Sequence, residues 1–195
     1  MRERSVTADE TARLREILLE TPWLLRALVA VRHLDLPDWA ISAGALRNAV
    51  WDRLHGYREP TPLRDVDVVF FDPSDLSAER DQRIQATLFH IMPVLPWEVT
   101  NQAAVHQWFP AYFGYAVEPF ASTEEAIAHN PETATSVGVR LDPDGELQIL
   151  APCGVADLLG LVLRHNPARA TRDLYLRRLR DKRIRETWPR VRVVL

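Results

Sequence analysis

Cysteine is nearly missing from this chain of 195 residues. Cys153 stands alone, which excludes an internal disulfide and a cysteine-built zinc site. Lysine is equally scarce: Lys182 is the single lysine among 24 basic residues, so arginine fills the other basic positions, as a general compositional bias would. No run of about 18 apolar residues occurs, so no membrane span is expected. The opening residues "MRERSVTADE" are too polar and acidic for a secretory signal, and a soluble cytoplasmic protein is the expectation. Internal repeats and low-complexity tracts are absent too.

What is present suits a folded domain. With 47% apolar and 26% charged residues the chain can bury a core, and disorder is not expected. No clear linker interrupts it, so residues 1–195 read as one domain, with a core over about 38–150 and a helical segment over 151–195. Charge is uneven. Residues 164–192 hold eleven basic residues against Asp173, Asp181 and Glu186, a local +8 in a chain of net −3. Such asymmetry can mark a phosphate or nucleic-acid surface, but a solvated helix face is the simpler reading.

Local patterns set the elements. "ADETARLREILLE" reads as a helix that Thr21-Pro22 closes, with Thr21 capping a second helix through "WLLRALVAVRHL". "WAIS" (39–42) reads as a short strand, Gly44 opens the helix "ALRNAVWDRLH", and Gly56 closes it. A strand is expected over 65–71, a helix within "DPSDLSAERDQRIQATLFHIM", a strand at "WEVTNQ" and a short helical stretch through His106. "STEE" (122–125) is a capping box. "SVGVRL" and "ELQIL" flank "DPDG" as a β-hairpin, and both "GVADLLGLVLRH" and "TRDLYLRRLRDKRIRETW" read as helices. Leu174, Leu176 and Leu179 are expected on the buried side of the last.

Chemistry concentrates in "PLRDVDVVFFD". Alternation along a strand puts Asp65 and Asp67 on one face and Val66 on the other. Two adjacent carboxylates repel, and a divalent cation relieves that cost; Mg²⁺ in particular takes one or two carboxylates plus substrate phosphates. Upstream, "ISAGALRNAV" is strand, glycine, helix. A glycine admits close backbone approach, and a helix start favours phosphate. Arg47 in the first turn opposes the helix dipole unless an anion sits there too, and Asn48 beside it is grouped with the same contact. In the plain reading Arg47 is a surface arginine. Asn101 and Gln102 can hydrogen-bond a base edge or ribose, whereas His106, one turn further, reads as partly buried. Asp52 and Asp72 read as surface or turn acids, and the six tryptophans as core.

This order of strand, glycine, helix and Asp-x-Asp strand resembles the nucleotidyltransferase fold of the DNA polymerase β superfamily. It is most similar to a small bacterial nucleotidyltransferase family within it, through "AGALRNAVWDRLHG", "TPLRDVDVVFFD", "NQAAVHQW", "STEEAIAHNPETATSVGVRL" and "LAPCGVADLLGLVLRHNP". The resemblance implies an α/β (α+β) fold with a small mixed sheet, flanking helices and a helical C-terminal part. It also implies a phosphate-facing turn at Gly44 and Mg²⁺ or Mn²⁺ held by Asp65 and Asp67. Two departures stand out. Ala45 follows Gly44 where the superfamily has Gly-Gly or Gly-Ser, and the third carboxylate has only Glu98 as its candidate.

The leading expectation is a metal-dependent transfer of a nucleotidyl group from an NTP to an acceptor hydroxyl on a small molecule, RNA or protein. A nucleotide-binding module of the same fold without turnover is the alternative, and the position of Glu98 discriminates between them. An Asp-x-Asp glycosyltransferase is a weaker fit, because only 64 residues precede Asp65.

Overall fold

Leu14, Ile17 and Leu18 form the buried stripe of α1 (Ala8–Leu19), which opens on Asp9 and Glu10. Thr21 caps α2 (Pro22–Arg32) through extended backbone, while its hydroxyl turns back to Ile17 O at 2.9 Å. The computed structural model describes residues 8–168 and 170–194, so most of the segment weighed above as a secretory signal lies outside the described residues.

Five strands follow: β1 (Ala40–Ser42), β2 (Val66–Phe70), β3 (Trp97–Asn101), β4 (Gly138–Leu141) and β5 (Leu147–Leu150). They form one mixed sheet in the order β3-β2-β1-β4-β5, in which only β2 and β3 pair in parallel. Between β1 and β2 runs α3 (Gly44–His55), ended by Gly56 in the left-handed region; α4 (Ala78–Ile91) returns the chain from β2 to β3. This is the α/β architecture expected from the sequence.

The alternation of β2 divides the sheet. Val66, Val68 and Phe70 are fully buried, whereas Asp67 and Val69 on the opposite face are half-buried. The first face packs with Ile41, Val99 and Val139 into a core that extends from Leu14 to Val191. Each such fully buried side chain contributes roughly 1.5–3 kcal/mol. The second face floors a cleft, roofed on one side by α5 (Val105–Phe113) and α6 (Thr123–Ala128). Val105, Phe109, Phe120 and Ala126 make a separate small core there. Ser122 caps α6 by accepting from Glu125 N at 3.1 Å, as the capping box requires.

The C-terminal part differs from the pattern reading in two places. "GVADLLGLVLRH" is helical only over α7 (Ala156–Leu159). A Cβ on Gly160 would lie 2.8 Å from Ala156 O, Leu161 takes a positive φ of 53°, and the chain then enters β6 (Val162–Arg164). That strand pairs in parallel with β7 (Arg192–Val194), a second sheet the periodicity did not reveal, because three-residue apolar runs carry no usable period. The basic segment is likewise two helices, α8 (Arg172–Lys182) and α9 (Ile184–Thr187), broken at Arg183 with φ 47°. Tyr175 is the fully buried residue of α8, and its hydroxyl meets Leu163 O at 2.9 Å and Val194 O at 3.2 Å. Leu174, Leu176 and Leu179 are half-buried.

Candidate active site

Register brings the carboxylates together. Asp67 is the cross-strand partner of Ser42 on β1 and of Glu98 on β3, so all three share the cleft face. Asp65, just ahead of β2, lines the same cleft. Burial pushes the Asp67 carboxyl up to about 7, with Asp65 and then Glu98 adding to it while Lys182 and Arg178 oppose. Glu98 is raised for the same reasons, burial first and Asp65 second. Asp65 just ahead of β2, Asp67 on it and Glu98 on β3 thus compress negative charge at the floor of one cleft.

The turn before α3 is strained at a place the sequence did not reveal. Ala43, one residue before the glycine, takes φ 61° and ψ −127°, a conformation favouring glycine that costs an alanine on the order of 1–3 kcal/mol. Gly44 has no positive φ, and a Cβ there would lie 3.6 Å from Asp65 Oδ1 and 3.9 Å from Arg47 Nη2, both ordinary contacts. Asp65 and Arg47 therefore flank this glycine at contact distance.

Arg47 corrects the surface reading. It is only 5% exposed, because its guanidinium packs against both members of an edge-to-face pair, Trp51 and Trp188, with ring centroids 5.3 and 5.4 Å away. Nη2 donates to Asn48 Oδ1 at 2.7 Å, while Nε and Nη1 are buried without a partner. Burial lowers its pKa to about 10. Arg47 and Asn48 line a second, narrower cleft of about 280 Å³ with Thr61 and Arg64, beside the main cleft of about 370 Å³. A charged group with two unanswered donors at a cavity wall is one that an anion would satisfy.

Three residues of this site escaped the sequence reading. Glu132 is buried at 1% exposure, accepts from Arg178 Nε at 3.2 Å, and also takes the Thr135 hydroxyl at 3.2 Å. Burial pushes its carboxyl up, but Lys182, Arg178 and Arg47 outweigh that and hold it below its ordinary value. Arg178 and Lys182 reach the main cleft from α8. Burial brings Lys182 down to about 8, with Glu132 opposing the shift. One signal was available for Lys182: it is the sole departure from arginine in a chain of 24 basic residues.

Other candidates fall away. Asn101, expected at the substrate, faces the core at 1% exposure. Its Oδ1 accepts from Asp72 N and Ala103 N, and its Nδ2 donates to the carbonyls of Asp72 and Asp75, so its side chain is spent on pinning the β2–α4 loop. Gln102 does line the main cleft. His106 is half-buried away from it, as the plain reading had it. Asp52 is buried, accepting from Thr61 and from Trp188 Nε1, and is no surface acid. Asp72 is a turn acid, held near 2 by the Ser74 hydroxyl and backbone and by Arg80. Of the tryptophans, Trp39, Trp51, Trp97 and Trp188 fill the core, while Trp108 is 39% exposed on the aromatic wall of the main cleft with Phe109, Phe113 and Tyr115.

Among the described residues no group of three or more His, Cys, Asp and Glu side chains is gathered to hold a metal by itself. A carboxylate pair completed by substrate phosphates is how Mg²⁺ is commonly bound, and the charge compressed at Asp65 and Asp67 fits that donor set.

The family model described as nucleotidyltransferase matches residues 29–193. A solved structure, described as an NMR structure revealing a CCA-adding enzyme head domain, is 29% identical with a TM-score of 0.80, over 94% of this chain and 95% of its own. A CCA-adding enzyme in complex with CTP is 13% identical with a TM-score of 0.56, over 94% of this chain and 43% of its own, a likeness of fold. No curated protein matches.

Proposed function

The chain belongs to the nucleotidyltransferase family, and on that premise we propose that it transfers a nucleoside monophosphate from an NTP to an acceptor hydroxyl. One observation carries the reading: Asp65, Asp67 and Glu98 meet on the face of the sheet that borders the Gly44 turn and the unsatisfied donors of Arg47.

Asp65 and Asp67 would hold Mg²⁺ or Mn²⁺, which when bound neutralises phosphate charge. The residues of this chain supply the rest. Arg47 donates to phosphate oxygens from the narrow cleft, its guanidinium oriented by Asn48 and held by the two tryptophans. Gly44, which borders both clefts, turns the N-terminus of α3 towards a phosphate. Gln102 offers its amide to the substrate in the main cleft. Glu98, which burial makes more basic, takes the proton of the acceptor hydroxyl. The acceptor oxygen then bonds the α-phosphorus as the bond from that phosphorus to the bridging oxygen breaks, and the bonding pair leaves on pyrophosphate. The position of Glu98 beside Asp67 favours this over a module without turnover.

The test is incubation with each labelled NTP, Mg²⁺ or Mn²⁺ and a cell extract as acceptor source. Label transfer that Asp67→Asn abolishes is expected. No transfer from any NTP, with no NTP binding by calorimetry, refutes the reading.

A further inference from the structure

We propose that Lys182 is a substrate-binding residue whose ammonium contacts the phosphates of the bound NTP and meets the charge that accumulates on the departing pyrophosphate. The proposal rests on the transfer reading above and adds to it a residue from the far end of the chain.

Position comes first. Lys182 is the last residue of α8, and the left-handed turn at Arg183 bends the chain away immediately after it. Tyr175 anchors the first turn of that helix through its hydroxyl to β6 and β7, and Arg178 on Glu132 with Arg64 on Asp181 O hold its far end. Lys182 borders the main cleft and the narrow cleft alike. Among the described residues, only Gly44 and Asp65 do the same, and these two belong to the phosphate turn and the carboxylate pair. A chain of phosphates running from the carboxylates towards Arg47 passes this junction.

Pairing comes second. The neighbouring cations are engaged: Arg178 with Glu132, Arg64 with Asp181 O at 3.3 Å, and one nitrogen of Arg47 with Asn48. Half-buried Lys182 makes no hydrogen bond or ion pair among the described residues. Glu132 attracts the ammonium only from beyond hydrogen-bond reach, so its three donors stay without a direct protein acceptor, and an anion at the cleft junction would supply one. Arg47, Arg64, Arg178 and Lys182 surround the junction, against the buried carboxylate of Glu132 and the acids of the cleft floor.

Residue type comes third. Every other basic position in the chain is arginine. A guanidinium is a broad planar fork, whereas an ammonium is a compact point charge with three rotatable donors. Where the two clefts meet, with Arg178 in one and Arg47 in the other already supplying guanidinium groups, the latter adds a charge without a third fork.

The single lysine also makes the test direct. Wild-type protein is titrated with inorganic pyrophosphate and with each NTP by calorimetry, with and without Mg²⁺. An amine-reactive acylating reagent is then applied, and labelling of Lys182 is read by peptide mass spectrometry. Saturating pyrophosphate is expected to slow that labelling several-fold. In Lys182→Met, pyrophosphate affinity is expected to fall about tenfold or more, the loss of one charge-assisted contact. Its melting temperature is expected to stay within a few degrees of the wild type, since the lost attraction to Glu132 is set against relief of a half-buried ammonium. Unchanged labelling under saturating pyrophosphate overturns the proposal, and so does Lys182→Met with wild-type pyrophosphate affinity. Should Lys182→Met fail to fold, the labelling measurement on the wild type decides alone. A wild type that binds neither pyrophosphate nor any NTP overturns the transfer reading, and this proposal with it.

Discussion

Replacing Glu132 by Gln removes the buried negative charge on which the C-terminal helix docks. In the folded protein Arg178 donates to Glu132 at 3.2 Å, and Lys182 and Arg47 lean on the same carboxylate. Removing one partner of a buried pair costs about 3–5 kcal/mol, because the surviving charges stay desolvated and unanswered. Arg178 is 35% exposed and partly screened by solvent, so the lower end applies, about 3 kcal/mol. For a chain of this size that lowers Tm by roughly 6–12 °C, at 2–4 °C per kcal/mol. Urea unfolding and calorimetry at pH 7 measure it. The sign of the pH dependence follows from the depressed carboxyl. Glu132 contributes its stability above its ordinary value near 4.5 and loses it as pH falls from there through the folded-state value. Glu132→Gln should therefore flatten the acid limb of the stability profile below about 4.5. A loss under about 1 kcal/mol, or acid limbs that run parallel in both proteins, would show that the charges around Glu132 are solvated and the pair is weak.

The remaining expectations concern single positions. Arg47→Met should weaken NTP binding by about 10–100-fold, the worth of one charge-assisted contact, while stability stays within about 2 kcal/mol of wild type, since the lost cation–π contacts are offset by relief of two unanswered donors; unchanged affinity by calorimetry would refute the phosphate role. Asp67→Asn should lower divalent-metal affinity and abolish transfer, yet hold or raise metal-free stability by relieving repulsion from Asp65 and Glu98; equal Mn²⁺ binding by both proteins would leave the pair an ordinary strand entrance. Gly138→Ala should destabilise by about 1–3 kcal/mol, because its Cβ would fall 2.5 Å from Ile127 Cδ1 and 3.2 Å from Ala40 Cβ. Adding Ile127→Val, which deletes the clashing methyl, should restore much of the loss in thermal melts, and a loss that Ile127→Val leaves unrelieved would count against steric overlap as the cause.

Periodicity and punctuation in the sequence were enough to place β1, α3 and β2 in order, to bring Asp65 and Asp67 to one cleft although the strand starts only at Val66, and to set the cap at Gly56 and the hairpin of β4 and β5. These are local properties: alternation, helical spacing and turn chemistry are encoded within a few residues of where they act. The site's other half is non-local. Glu98 meets Asp67 only through the parallel register of β2 and β3. Arg178 and Glu132, 46 residues apart, meet only because Tyr175 seats α8 against β6 and β7. The same docking decides Arg47: Trp188 arrives from beyond α9 to close over a guanidinium that first-turn position alone would leave in water. Asn101 runs the other way, since strand parity turns it into the core and its polar atoms are consumed by a loop 26–29 residues upstream. Sequence pattern settles which face a residue takes on its own element, whereas what waits on that face is decided by how distant elements pack.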